Sequence, residues 1–223
     1  GAPTDIKEKD YLVKPINKIV ASTQSHNAYI LSYDNKQKHF TYKKFEIPST
    51  KEFFRLAGYY LAEGSISSGS YLNFSFHKDE REYIDDVKKL LRKLFGAKPY
   101  EKHHPTNNGT TVSVSSVDLC RVFSELGTSS NSKKVPSWMM LESPKKQEQL
   151  IIGAFRGDGN IYAQNVKNED WKEVVRYNTV SEELAHNMQD LLLRIGVPAF
   201  VNEQSRKKTQ RQNIYTVGIS GLH

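Results

Sequence analysis

Two stretches of the chain share one pattern of apolar, small and acidic positions. They span residues 56–64 and 151–159. In both, apolar side chains recur at helical spacing, a glycine stands at the third position (Gly58 and Gly153), and an acid followed by glycine closes the segment. Glycine inside a helix costs roughly 0.5–1 kcal/mol relative to alanine. Its repetition therefore indicates that another backbone packs closely against each helix.

The two acids, Glu63 and Asp158, stand at the same place in the two stretches. If the helices lie side by side and point the same way, both carboxylates reach one place, where the helix dipole is also negative. Such a pair attracts a hard divalent cation, and a metal flanked by two acids suits phosphodiester hydrolysis. The alternative is two ordinary buried helices that each end in an acid and a glycine, because short motifs are weak on their own.

The segments after each helix repeat as well. In the first half, Ser49–Glu52 resembles a capping box, the serine-rich residues 65–70 predict a turn, and Ser116 predicts a helix start. Period-two alternation predicts strands, and period 3.6 predicts amphipathic helices. The predicted strands are 71–76, 98–103, 110–115, 160–166, 173–180, 199–203 and 213–220, and the predicted helices between them are 79–95 and one that opens at 181.

This order predicts an α+β fold of two αββαββα repeats related by a pseudo-two-fold axis. We expect two antiparallel, saddle-like sheets, with the two glycine-bearing helices packed at the interface between the repeats. The predicted parts are an extension over 1–47, a first repeat over 48–142 and a second over 143–223. The second repeat is expected to be incomplete at its C-terminal end. In the extension, β-like pieces lie at 11–13, 28–33 and 39–47, and residues 15–46 are expected to be either an added DNA-contacting flap or a linker with a small hairpin.

The paired stretches resemble the signature helices of single-chain LAGLIDADG homing endonucleases, over about residues 47–223. The first motif is close, with glutamate in place of the second aspartate. The second is looser, with Ile151 and Ile152 at the first two positions and Arg156 at the sixth. Residues 10–15 resemble the segment that precedes the nuclease in intein-borne members. The resemblance therefore implies an intein origin, although the start of the chain carries no splicing nucleophile.

The resemblance implies Mg²⁺-dependent hydrolysis of both strands of double-stranded DNA at a long site. Two or more divalent ions would be held by Glu63 and Asp158, with help from the backbone carbonyls of Ala62 and Gly157. Water would be the nucleophile, and no covalent intermediate would form. The chain would act as a monomer with internal pseudo-two-fold symmetry.

The family also places a catalytic lysine just ahead of a proline, here Pro136. Lys133 is favoured over Lys134 for this role, which would be to hold an activated water or to stabilise phosphate charge. The alternative for either lysine is one more phosphate contact.

The formal net charge of +7 favours a polyanionic partner. The positive charge collects in four runs with Tyr, His, Asn and Gln interleaved, although each run alone could be a solvated face. We expect strand and loop positions to contact DNA, namely Asn73, Lys98, Lys102, Asn107, Lys134, Arg176, Asn178, Gln204, Lys207 and Gln212.

Other features of the chain exclude several classes of protein. No apolar run is long enough to span a membrane, and no signal peptide is visible. The single cysteine, Cys120, excludes an internal disulfide and suits a reducing compartment. The resemblance implies a cytoplasmic, intracellular location with access to genomic DNA. The sequence contains no cluster of cysteines and histidines that would predict a zinc site. The second functional hypothesis is a catalytically inactive nucleic-acid-binding protein, similar to maturases or regulators with this fold.

Overall fold

The computed structural model describes residues 19–21, 23–34, 38–106, 108–165, 171–205 and 212–219. These residues form six α-helices, ten strands and a short 3-10 turn at Ser130–Ser132. In chain order the elements are β1 (Ser25–Asp34), β2 (His39–Pro48), α1 (Lys51–Glu63), β3 (Gly64–Ser67), β4 (Tyr71–His77), α2 (Arg81–Phe95), β5 (Tyr100–His104), β6 (Gly109–Ser115), α3 (Val117–Ser124), α4 (Ser137–Met140), α5 (Pro144–Asp158), β7 (Gly159–Asn165), β8 (Trp171–Thr179), α6 (Glu182–Arg194), β9 (Ala199–Gln204) and β10 (Ile214–Ile219).

Two four-stranded antiparallel sheets carry the same topology. Their strand orders are β3-β4-β6-β5 and β7-β8-β10-β9. Each sheet begins with the strand that directly follows a glycine-bearing helix, α1 or α5. The predicted α+β fold of tandem repeats with two antiparallel sheets is therefore confirmed.

The core of the first repeat is built from aromatic side chains on three elements. Phe74 on β4 alternates with exposed neighbours and is fully buried, as are Phe53 and Tyr60 on α1. The ring of Phe123 on α3 lies 6.0 Å from that of Phe53 and 6.3 Å from that of Phe74. Burying one such side chain contributes about 1.5–3 kcal/mol, so this cluster fixes α1 on its sheet.

The prediction of a turn over residues 65–70 was partly wrong. Residues 64–67 form strand β3, which pairs with β4, and only Ser68 to Ser70 make the turn. Ser68 and Gly69 have φ of 52° and 64°, which is the left-handed backbone that tight hairpin turns need. Serine has little strand preference of its own, but the hydrogen bonds to β4 override it.

Of the helix starts predicted from the sequence, that of α1 is shifted by one residue, and that of α2, predicted at 79, lies two residues later at Arg81. The N-cap of α1 is Thr50, whose side chain accepts a hydrogen bond from the backbone three residues on at 3.2 Å. Ser49 is instead buried, and its hydroxyl donates to Glu142 at 2.8 Å. Ser116 is the N-cap residue of α3 and Ser181 is that of α6, as the sequence predicted.

Strands β1 and β2 form a hairpin that packs on the first repeat. Ala28 is buried, and the ring of His26 stacks on Trp138 with centroids 4.4 Å apart. Lys43 forms an ion pair with Asp118 at the start of α3, at 2.5 Å. The hairpin is longer than the predicted pieces at 28–33 and 39–47, and the predicted strand at 11–13 lies outside the described residues.

The structure also bears on membrane-spanning helices and on the single cysteine. In the part of the chain that the structure describes, no helix is long and apolar enough to cross a membrane. Cys120 is 2% exposed on α3, and burial raises the pKa of its thiol. Its position in the core agrees with a packing role.

Helices α1 and α5 meet backbone to backbone through two glycines. A Cβ atom on Gly58 would lie 2.1 Å from the carbonyl oxygen of Leu150 and 2.9 Å from the Cα of Gly153. A Cβ atom on Gly153 would lie 2.3 Å from the carbonyl oxygen of Arg55. Real Cβ contacts are never this short, so both positions require glycine, as the repeated pattern predicted.

Helices α1 and α5 run parallel, because residues later in α1 contact residues later in α5. Gly58 faces Gly153, and further along, a Cβ atom on Gly157 would lie 2.6 Å from the Cβ of Ala62 and 2.8 Å from Oε1 of Glu63. The two C-terminal ends therefore lie side by side.

Glycines also follow both helices, but they do not adopt the left-handed conformation typical of a helix stop. Gly64 and Gly159 have φ of −84° and −79° and already belong to β3 and β7. A Cβ atom would lie 2.5 Å from the carbonyl oxygen of Tyr60 at Gly64, and 2.2 Å from that of Phe155 at Gly159. Glycine is needed at both positions because the backbone of each strand starts in close contact with the last turn of the preceding helix.

We expect Gly58→Ala to destabilise the protein by about 3 kcal/mol, since the new methyl group forces the two helix backbones apart. Urea denaturation followed by circular dichroism measures the change in unfolding free energy. Lys51→Ala, at the exposed start of the same helix, is the control and should change it by less than about 0.5 kcal/mol. Equal stability of Gly58→Ala and the native chain would contradict the close contact.

Candidate active site at the joint of the repeats

The parallel helices bring Glu63 and Asp158 together, half-buried, at their adjacent C-terminal ends. Burial, and after it the charges of Asp158 and Glu80, together raise the pKa of Glu63 to about 7. Burial also raises the pKa of Asp158 to about 6, opposed by the positive charge of Lys133. Neither carboxylate has a hydrogen-bond partner among the residues described.

This donor set fits a hard divalent cation. Two close carboxylates without partners repel one another, and a doubly charged ion relieves both that repulsion and their burial. The last carbonyls of α1 and α5, which include those of Ala62 and Gly157, have no acceptor role within their own helices. No group of three or more His, Cys, Asp or Glu side chains gathers within the described ranges. Water and phosphate oxygens would have to supply the remaining ligands.

Lys133 reaches the same place from the loop before Pro136. It is 5% exposed, and its Nζ donates to the carbonyl oxygens of Tyr60 at 2.8 Å and Gly64 at 2.9 Å. The Nζ also lies 3.4 Å from the centroid of the Tyr60 ring. Burial lowers the pKa of Lys133 to about 7, and the charge of Asp158 opposes this. The side chain is therefore close to Asp158 and able to gain or lose a proton near neutral pH.

The neighbouring Lys134 is exposed, and its backbone N–H donates to Leu126. The structure thus separates the two lysines that the sequence left open. Lys133 lies beside the carboxylate pair, whereas the side chain of Lys134 faces solvent.

A cavity of about 490 Å³ opens on the Asp158 side of the carboxylate pair. Both repeats line it, through Ala62, Gly64 and Lys133 from the first and Asp158 and Asn178 from the second. It is large enough for a phosphate group and several water molecules. No sequence pattern indicated this cavity, because it forms only where the two repeats meet.

The outer face of the first sheet carries polar side chains, as predicted. Asn73 on β4 is half-buried there, with its Oδ1 accepting from Ser113 at 2.7 Å and its Nδ2 donating to Ser67 at 2.9 Å. Lys102 on β5 is exposed on the same face. Lys98 is exposed just before β5, and Asn107 lies outside the described residues.

The outer face of the second sheet has a similar character. Arg176 and Asn178 lie on β8, and Oγ1 of Thr216 donates to Asn178 across the strand pair at 2.7 Å. Gln204 is exposed at the end of β9 and Gln212 just before β10, whereas Lys207 lies outside the described residues. The predicted DNA-contacting side chains that are described thus lie on the outer sheet faces or in the loops beside them.

Arg156 marks the main departure of the second motif, and it has a structural role. Its Nη1 lies 2.6 Å from the hydroxyl of Tyr59 and 3.4 Å from Asp86 on α2. Asp86 also binds Arg55 at 2.9 Å and accepts from the Tyr59 hydroxyl at 3.0 Å. One carboxylate therefore ties α1 and α5 to α2, which no spacing rule in the sequence indicated.

Tyr177 and Glu80 are further residues near the acid pair that the sequence did not single out. Tyr177 on β8 is fully buried and lies directly across the strand pair from Gly159. Glu80 is the N-cap residue of α2, and its charge acts on Glu63. The register of β8 with β7 places Tyr177 opposite the residue that follows Asp158.

Parallel helices, twin sheets and a shared pair of acids define a class of tandem-repeat α+β proteins. The LAGLIDADG-like domain model matches residues 51–127 and 145–222 of this chain. The chain therefore belongs to the LAGLIDADG-like domain family.

Curated relatives include the uncharacterised protein MJ1054 of Methanocaldococcus jannaschii, 32% identical over 97% of this chain and 24% of that protein. The iron–sulfur cluster assembly SufBD family protein Rv1461 of Mycobacterium tuberculosis is 34% identical over 65% of this chain and 17% of its own length. The ATP-dependent DNA helicase Hel308 of Thermococcus kodakarensis is 27% identical over 78% of this chain and 16% of its own length. The chain thus spans about a quarter or less of these relatives.

Solved structures share the fold. The homing endonuclease I-DmoI, in complex with DNA and Mn, superposes with a TM-score of 0.54 at 13% identity, covering 77% of this chain and 90% of that one. The N-terminal LAGLIDADG domain of DUF199/WhiA superposes with a TM-score of 0.50 at 11% identity, covering 77% and 76%.

We expect metal-free Glu63→Gln to be more stable than the native protein at about pH 8, by about 1–2 kcal/mol after allowance for solvent screening. The folded state holds the Glu63 proton more tightly than the unfolded chain does. Its contribution to stability is therefore complete below the unfolded pKa of about 4.3 and is lost as the pH rises through the folded value. Urea denaturation in a chelator at several pH values measures the difference.

The difference should vanish near pH 4, where the native carboxyl is protonated in both states. Glu148→Gln, at an exposed position on α5, is the control and should behave like the native chain. A variant that is less stable than the native protein at pH 8 would contradict the raised pKa.

Proposed function

We propose that this chain is a site-specific, Mg²⁺-dependent endonuclease that breaks both strands of double-stranded DNA. One observation carries the proposal. Two carboxylates without hydrogen-bond partners, Glu63 and Asp158, meet at the ends of parallel helices, beside the buried amine of Lys133 and a cavity of about 490 Å³.

Glu63 and Asp158 would hold the divalent ions, with the carbonyls of Ala62 and Gly157 as further oxygen donors. Bound Mg²⁺ supplies activation of water and stabilisation of the leaving oxygen. Each acid would serve mainly one DNA strand, because each ends the first helix of a different repeat. The two helices fix the separation of the carboxylates through backbone contacts, so little reorganisation is needed on binding.

Lys133 would act on the phosphate or on a water beside it. Its amine is held by two backbone carbonyls, and burial lowers its pKa to about 7. A group with a pKa near the working pH is well suited to move a proton, and its charged form would stabilise a phosphate oxygen.

The outer sheet faces would lie along the DNA, with Lys102 and Asn73 on one half and Arg176 and Asn178 on the other. Antiparallel sheets can bury one face and present the other to a ligand. The hairpin β1–β2 would extend this contact, since the side chains of Tyr29 and Tyr42 are 67% and 70% exposed and Lys44 lies opposite Tyr29.

An intein origin is the interpretation that best fits the relatives. Proteins named for iron–sulfur cluster assembly and for DNA unwinding match this chain over only 17% and 16% of their lengths. A module shared by proteins of such different names behaves as an insertion. We infer that the chain is such an inserted endonuclease, acting inside the cell on genomic DNA.

Nucleic-acid binding without cleavage is the second candidate. Ile151, Ile152 and Arg156 depart from the family motif, and Arg156 is engaged in a structural network. Both candidate functions use the outer sheet faces to bind nucleic acid. They differ only in whether the acids at the helix ends support cleavage.

We expect Asp158→Asn to abolish double-strand cutting while leaving DNA binding within about twofold of the native protein. The amide keeps the size of the side chain but loses the anionic ligand. The target is first selected from a randomised duplex library by binding, then placed in a supercoiled plasmid and incubated with Mg²⁺. Agarose gels measure cutting, and gel shifts in Ca²⁺ measure binding.

Glu148→Gln, on the same helix but exposed, should cut like the native chain. Full cutting by Asp158→Asn would refute the assigned role of the acid. Binding without any cutting by the native chain would favour the second candidate.

We expect Lys102→Ala and Lys44→Ala each to lower the salt dependence of DNA binding. The slope of log affinity against log salt should fall by about 1 for each phosphate contact that is lost. Fluorescence anisotropy over a range of NaCl concentrations measures the slope. Lys51→Ala is the control, because a 13-residue helix separates it from the acid pair by about 20 Å. An unchanged slope for Lys102→Ala would show that the first sheet does not contact DNA. An unchanged slope for Lys44→Ala would show the same for the hairpin.

A further inference from the structure

The hydroxyl of Tyr177 is a buried polar group without a partner. The side chain is fully buried on β8, and its oxygen has no hydrogen-bond partner in the described structure. The ring packs against Phe155 of α5, with centroids 5.3 Å apart. A buried hydroxyl of this kind is unfavourable, and native proteins rarely keep one without a use for it.

The first repeat shows that the fold does not need this hydroxyl. Tyr177 pairs with Gly159 across its sheet, and Phe74 pairs with Gly64 at the matching place in the other sheet. Phe74 packs against Tyr60 of α1 with centroids 6.2 Å apart, as Tyr177 packs against the matching helix residue. Both repeats therefore require an aromatic ring at this position, but only the second carries an oxygen on it.

The oxygen lies where the carboxylate pair can use it. Tyr177 is opposite Gly159, the residue that follows Asp158. The charges of Asp158 and then Glu63 both act on the hydroxyl and, after burial, are the causes that raise the pKa of Tyr177 well above its usual range. The hydroxyl therefore stays protonated and can donate a hydrogen bond to an anionic oxygen.

We propose that Tyr177 is a positioning residue of the acid pair, whose hydroxyl donates to the Asp158 carboxylate when that carboxylate binds a divalent cation. The inference rests on the proposed function, because it requires the acids to bind a cation. Asp158 is assigned as the acceptor because it belongs to the same repeat and is the nearer of the two along the strand pair. Partners of this kind orient carboxylate ligands and strengthen metal binding.

The test is Tyr177→Phe, which gives the second repeat the residue that the first already has. Mn²⁺ alone is titrated at about pH 8 into the native chain and the variant, and binding is followed by electron paramagnetic resonance of the free ion. The variant is expected to bind Mn²⁺ about 10- to 100-fold more weakly. Thermal unfolding of the metal-free proteins at about pH 5, below the pKa of about 7 of Glu63 and of about 6 of Asp158, should show the variant as stable as the native chain or more so.

Tyr60→Phe is the matched control. The Tyr60 hydroxyl is also buried, but it donates to the carbonyl oxygen of Gly127 at 2.8 Å. Its removal leaves that carbonyl without its partner, so this variant should unfold at a lower temperature without metal. Loss of the hydroxyl is thus expected to lower the unfolding temperature of the metal-free protein at Tyr60 but not at Tyr177.

Each result has one meaning. Native binding of Mn²⁺ with equal binding by Tyr177→Phe would overturn the role of Tyr177 and leave the carboxylate site standing. A metal-free Tyr177→Phe that unfolds at a lower temperature, as Tyr60→Phe does, would show a structural hydroxyl and would also overturn it. Absence of Mn²⁺ binding by the native chain would overturn the proposed metal site and the inference together, and would therefore be distinguishable from the first two results.

Discussion

The contact between the backbones of α1 and α5 is the constraint on which the rest of the structure depends. Side chains larger than glycine at Gly58 or Gly153 would overlap carbonyl oxygens of the facing helix. Because the helices pack so closely and run parallel, Glu63 and Asp158 are placed by main-chain geometry rather than by flexible side-chain contacts. The sheets, the cavity and the lysine loop are all arranged around that joint.

This arrangement places groups where they are unfavourable for stability. Burial raises the pKa of both carboxyls, lowers that of the Lys133 amine and leaves the Tyr177 hydroxyl without a partner. The surrounding core compensates for these costs, with Phe53, Phe74 and Phe123 packed around α1 in the first repeat. A concentration of strained electrostatics inside an otherwise well-packed fold is typical of a functional centre.

Much of the architecture was predictable from the sequence because it depends on periodicity. The repeated glycine and acid positions predicted the helix pair, and alternating residues predicted most strands. The errors arose where distant contacts override local preference. Serines of β3 form a strand because β4 pairs with them, and Thr50 caps α1 because Ser49 is drawn to Glu142. Tyr177 was missed because its importance depends on strand register, which no local pattern encodes.

The interface between the repeats is made largely of main chain and small side chains, so it places few demands on the identity of the partner helix. A surface of this kind is nearly complementary to a copy of itself turned about a two-fold axis. Duplication and fusion of one ancestral half would thus produce a working joint at once, without compensating changes. The halves would then be free to diverge, and the tyrosine and phenylalanine of the Tyr60–Phe74 pair indeed stand in the opposite order in the Phe155–Tyr177 pair.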